Sequence, residues 1–113
     1  MTKIRYSMRE LSLDAEGHAG AAPEGQDIVC AGISALTQAM LHALNDEEEK
    51  GRLEVFWLME KGRIQIRVKS AKSWKYWLMA KSYLTMAVRG LKDIAERYPE
   101  HIEVKEEQED GII

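Results

Sequence analysis

Cys30 is the one cysteine in this chain, and its surroundings suit a nucleophile. The thiolate is the reactive form of cysteine, so reactivity depends on whatever favours negative charge on the sulfur. Cys30 follows Asp27 by three residues, and Asp27 stands just ahead of an apolar run, Val29, Ile33, Leu36, Met40 and Leu44, at helical spacing. Asp is a good N-cap. The spacing therefore predicts a helix from about Ile28 to Asn45 with Cys30 in its first turn. The partial positive charge of a helix start favours an anion there. His18 heads a glycine-rich stretch, Gly17 to Gln26. If that loop folds back over the helix start, His18 reaches Cys30, and a thiol with an imidazole base is the minimal nucleophilic dyad. Ser34, four residues after Cys30, shares its helix face. Backbone N–H groups at the helix start are candidate donors to an oxyanion.

The same residues have plainer roles. A lone cysteine at a helix start is more often a small buried apolar side chain. A loop histidine is usually exposed surface. Asp27 caps the helix whether or not it orients His18, and one carboxylate cannot do both fully. His18, Cys30 and Asp27 together make a thin ligand set for a metal.

The elements that must position these residues follow from hydropathy. Lys3 to Arg9 alternates, with Ile4, Tyr6 and Met8 on one side, and predicts a strand. Leu11, Leu13 and Ala15 continue the alternation into a second. The acidic run Asp46 to Glu49 is unfavourable at a helix C-terminus and is expected as solvated turn. Arg52 to Glu60 and Arg63 to Ser70 predict a hairpin about Lys61-Gly62. A long helix spans roughly Ser73 to Tyr98, ended by Pro99. Ile102 and Val104 alternate with charged residues in a last strand. The order is β-β-α-β-β-α-β, an α+β two-layer fold with two long helices on one face of a mainly antiparallel sheet.

With 113 residues, the chain fits one domain. Lys plus Arg is 16 and Asp plus Glu is 19, a net charge of −3 that gives no global pull towards nucleic acid. One cysteine excludes an internal disulfide and any multi-thiolate cluster. The first ten residues show no signal-peptide core, and no uninterrupted apolar run has the length of a membrane span, so a cytoplasmic protein is expected. Charge is uneven: residues 61–92 carry nine Lys or Arg and no acid. This segment also holds Trp74, Tyr76 and Trp77. Basic residues among aromatics can bind RNA, which leaves a non-catalytic RNA- or ribosome-associated module as the alternative reading. A solvated basic face is the plainer one.

The motif Gly17-His18-Ala19, then Asp27-Ile28-Val29-Cys30-Ala31 with Ser34 four positions on, resembles the ribosomal-processing cysteine proteases of the Prp family. The stretch Gly90 to Pro99 is also family-like. The resemblance implies a small homodimeric protein that needs no cofactor or metal. It implies a cysteine endopeptidase that removes the N-terminal extension of a bacterial large-subunit ribosomal protein, the twenty-seventh of the L series. Cys30 is then the nucleophile and His18 the general base and acid, with Asp27 as the third position and Gly17 and Ser34 in support. The loop, with Ala19, Gly20, Pro23 and Gly25, is implied to gate the site. The aromatic start of the second helix, Ser73 to Met79, departs from the family pattern and bears on the substrate groove and dimer contacts.

Overall fold

Alternating apolar side chains close one face of a sheet, and two helices cover it. The computed structural model describes residues 1–23 and 27–107. In chain order the elements are β1 (Thr2–Ser7), β2 (Ser12–Glu16), α1 (Ile28–Glu49), β3 (Leu53–Glu60), β4 (Arg63–Ala71), α2 (Trp74–Arg97) and β5 (Ile102–Glu106). The strands lie in the order β3-β4-β2-β1-β5. β1 and β5 are parallel, and the other pairs are antiparallel. This is the expected α+β architecture.

Register explains the core. Tyr6 sits opposite Leu13, Leu13 opposite Ile66, and Ala15 between Ile4 and Ile64. Cross-strand partners share a face, so these side chains point the same way. All are buried, as are Val55, Val68 and Ile102. Onto them α1 brings Val29, Ile33, Met40, Leu41 and Leu44, and α2 brings Ala80, Leu84, Ala87, Val88 and Leu91. One continuous apolar cluster results. Burying each such large side chain contributes roughly 1.5–3 kcal/mol. The helices pack tightly at Gly90, where an added Cβ would lie 2.8 Å from Leu36 Cδ1. By length and composition alone α1 could cross a membrane. Here its apolar stripe packs on the sheet.

Two expectations are corrected. Asp46 to Glu49 belong to α1 and are not a turn beyond it. The reason is local charge. Glu47 is buried, and its two carboxylate oxygens accept from Arg52 Nη1 at 3.1 and 3.2 Å. Lys50 Nζ approaches it at 3.8 Å, and Glu48 Oε2 accepts from the Val55 N–H at 2.7 Å. Cations and a backbone donor just past the helix end offset the repulsion from its dipole. Leu11 does not continue the second strand. It turns the chain with φ +49°, so its side chain enters the core while its carbonyl accepts from Val68 N–H at 3.0 Å.

The packing makes a stability prediction. Leu91 is fully buried, and Met86 on the same helix is 72% exposed. Leu91→Ala should destabilise by about 2–5 kcal/mol, and Met86→Ala by no more than ~0.5 kcal/mol. Urea unfolding midpoints at unchanged slope check both.

Candidate active site

The site is built around the start of α1. Asp27 is its N-cap, with extended backbone angles. Its Oδ1 accepts from Val29 N–H at 2.9 Å and Cys30 N–H at 3.0 Å. The Ala31 N–H donates to the Asp27 carbonyl at 3.0 Å. So the Val29, Cys30 and Ala31 amides, among those expected to serve an oxyanion, are already engaged by Asp27. Oδ2 of the same carboxylate accepts from Ala21 N–H at 3.0 Å, across the loop. The Cys30 N–H does most to hold the Asp27 carboxyl below its ordinary 3.8. Burial works the other way, and Ala21 N–H, the Cys30 side chain and Val29 N–H add to the lowering. Asp27 is thus a helix cap and a loop tie. Among the described residues no hydrogen bond links it to His18.

The loop after β2 is anchored at alternate residues. Gly17 N–H donates to the Gly62 carbonyl at 2.8 Å, which ties the loop to the β3–β4 turn. Gly17 has φ +99°, and a Cβ there would sit 2.5 Å from the Met1 carbonyl oxygen. Both facts demand glycine. Ala19 is buried, and its N–H donates to Cys30 Sγ at 3.3 Å. Ala21 is held by Asp27. The residues between point outward: His18 and Gly20 are exposed.

A cleft of about 640 Å³ opens between this loop, α1 and the β3–β4 turn. Gly17, His18, Gly20, Asp27, Cys30 and Ser34 all line it. The sequence-predicted residues are therefore brought together. Ala19 lies beneath them, Pro23 is exposed outside the lining, and Gly25 falls outside the described residues. His18 does not hydrogen-bond Cys30. Its ring rests against the turn, with Nε2 2.9 Å from where a Gly62 Cβ would stand. Ser34 is exposed to the cleft.

Sequence reasoning missed two parts of the site. One is the opposite wall, Met59 to Arg63, which the β2–β4 pairing of Glu16 with Arg63 brings beside the loop. The Lys61-Gly62 turn was visible, but its neighbour depends on strand order. The other is His101, whose Nδ1 lies 2.9 Å from the Ala19 carbonyl oxygen. Eighty-two positions separate the two residues, and no local signal links them.

With this geometry in place, comparison with known proteins is decisive. The sequence model of the cysteine protease Prp family matches residues 1–103. The chain belongs to that family. It is a cysteine protease. A search of curated protein sequences returns no match. Among solved structures, the Prp fold resembles that of an essential ribosomal processing protease, Prp from S. aureus, in complex with a covalently linked product peptide. The TM-score is 0.72 at 23% identity, covering 94% of this chain and 97% of that one. The same S. aureus protease in complex with a substrate peptide gives a TM-score of 0.67 at 22% identity over the same shares. SMU.848 from Streptococcus mutans gives 0.66 at 23% identity, covering 96% of this chain and 93% of that one.

Two sequence features of this Prp-family chain find their places in the structure. Of the aromatics that open α2, Trp74 is 75% exposed, whereas Tyr76 and Trp77 pack against the core. The basic run of residues 61–92 meets acids within the chain. Arg63 reaches Asp14 at 3.2 Å, Lys69 reaches Glu54 at 3.7 Å and Arg89 reaches Asp93 at 2.6 Å. These pairs engage three of the nine basic side chains in the run.

Two predictions concern the loop and the cap. Gly17→Ala should lose about 1–3 kcal/mol through its positive φ and the Met1 carbonyl, read as a lower thermal midpoint. The second concerns Asp27. A carboxyl held below its ordinary 3.8 contributes stability that is present above that value and lost as pH falls through the folded-state value. Asp27→Asn keeps a capping side chain but cannot titrate. Below pH ~4 its stability should fall less steeply than that of wild type. Denaturation midpoints measured from pH 7 down to 2.5 test this.

Proposed function

We propose that this protein is an endopeptidase that trims the N-terminal extension of a large-subunit ribosomal protein, the twenty-seventh of the L series, in the cytoplasm and as a homodimer. Family membership and the likeness to a ribosomal processing protease holding peptide support the reading. The observation that carries it is Cys30 in the first turn of α1, at the floor of a cleft that His18 also lines.

On this reading the Cys30 thiolate attacks the scissile carbonyl carbon, and an S–C bond forms. The tetrahedral oxyanion collapses and the C–N bond breaks. His18, protonated by the departing thiol proton, gives that proton to the leaving amine. It then takes a proton from water as the water attacks the thioester, and the carboxyl product leaves with Cys30 restored. His18 must first leave Gly62. It is exposed, so its ring can change rotamer, and such changes are fast. Catalytic hydrogen bonds are often open before substrate binds and tighten around it. Asp27 takes no proton in these steps and holds the helix start that carries Cys30. Ser34 borders the path of the peptide. With Gly17, Ala19 and Ala21 tied down, moving the loop at Ala19 and Gly20 to admit substrate would break those hydrogen bonds.

The test is cleavage of the extended ribosomal precursor, read by mass spectrometry in the presence of reductant. Wild type should make one cut. Cys30→Ala and His18→Ala should each lower the rate by about 10³-fold or more with circular dichroism unchanged. Wild-type turnover by folded Cys30→Ala would rule the mechanism out. Sedimentation at micromolar concentration tests the dimer separately.

A further inference from the structure

His101 enters no step of the mechanism above, yet it is tied to the residue that touches the sulfur. Its backbone is fixed at both ends. Its N–H donates to the Tyr98 carbonyl at 2.9 Å, and its own carbonyl accepts from Thr2 N–H at 2.9 Å. The ring is therefore mounted on the junction of α2, β5 and β1. From there Nδ1 reaches the Ala19 carbonyl oxygen at 2.9 Å. A carbonyl only accepts, so Nδ1 carries the proton and donates. That holds for the neutral ring in this tautomer and for the imidazolium alike. Ala19 is fixed on its other sides too. Its side chain is in the core, and its N–H donates to Cys30 Sγ at 3.3 Å. With side chain and carbonyl both held, the place of the nitrogen is fixed, and the tie of Gly17 N–H to the Gly62 carbonyl restrains the preceding peptide that carries the N–H direction.

We propose that His101 is a positioning residue: by holding the Ala19 carbonyl it keeps the Ala19 N–H aimed at Cys30 Sγ, where that N–H stabilises negative charge. The need for such a donor is visible in the site. Asp27 engages the Val29 and Cys30 amides and sets a carboxylate beside the sulfur, which opposes a second negative charge. A hydrogen bond to the charged form of a group favours that form. The Ala19 amide is the donor the structure directs at Sγ.

Cys30 is the sole cysteine, so iodoacetamide reports on it alone. The intact protein is alkylated across pH 5–10, and the pH of half-maximal rate is read. Leu at position 101 fills similar space without a donor. The amide nitrogen of Asn can stand where Nδ1 stands. His101→Leu should raise the half-maximal pH by about half to one unit, where one unit is a tenfold change in the equilibrium. His101→Asn should restore the wild-type value. Among the described residues, the other charged or titratable groups that line the cleft with Cys30 are Asp27, His18, Glu60, Lys61 and Arg63, and they are the same in every variant. An unchanged profile for His101→Leu overturns the proposal, as does an equal shift for Asn and Leu. A second measurement needs no variant. In wild type the Ala19 amide proton should move in the NMR spectrum with the same midpoint as alkylation, and an amide silent through that range overturns the proposal too. The alkylation result stands apart from peptidase activity. The catalytic arm, which does rest on the endopeptidase reading, expects His101→Leu to lower kcat with KM held.

Discussion

A single carboxylate, that of Asp27, joins the two segments from which the site is made. One oxygen caps α1 through Val29 and Cys30, and the other ties down the loop through Ala21. Without it the helix start and the loop share few fixed points, and the cleft between them has no defined floor. The geometry also explains why the group is held ionised. Three backbone N–H groups converge on it, and donors to a carboxylate favour its charged form. The burial this requires disfavours charge, but the amides win.

The rest of the fold delivers partners to that centre. Pairing of β2 with β4 places Arg63 beside Glu16, so the chain leaving β2 meets the β3–β4 turn directly, and Gly17 extends the ladder to Gly62. Parallel pairing of β1 with β5 brings His101 against the same loop from the other side. Three distant parts of the sequence thus hold one short segment at Gly17, Ala19 and Ala21. A loop rich in glycine gains a fixed path because its backbone groups are satisfied one by one.

Much of this was legible in the sequence because it is local. Asp27 before an apolar helical run marks the cap, and alternation marks β1 and β4. Lys61-Gly62 marks the turn, and Pro99 marks the end of α2. The motif that pairs His18 with Cys30 also puts both in one cleft. What was illegible depends on tertiary charge or on strand order. Glu47 stays helical because Arg52 lies on the far side of a turn. Leu11 adopts a left-handed angle because the core has room for it and Val68 takes its carbonyl. His101 reads as a polar residue after a proline, and only the sheet gives it a partner.

The arrangement around Cys30 also separates two tasks that a dyad is usually asked to combine. Charge on the sulfur is met by the Ala19 amide, which is fixed by the core and by His101. Proton transfer falls, on the proposed reading, to His18, which stands free of Cys30 and rests on Gly62. A fixed donor needs no reorganisation when charge develops. A mobile base can serve first the thiol, then the amine and then water, which occupy different points in the cleft. Adjacency in sequence makes this possible. The backbone is anchored at every second residue along Gly17 to Ala21, so the buried anchor at Ala19 carries the exposed side chain of His18 immediately before it. Shifting the loop by one residue would exchange those roles, burying the imidazole and exposing the donor. Three backbone anchors at odd-numbered positions are what keep that register.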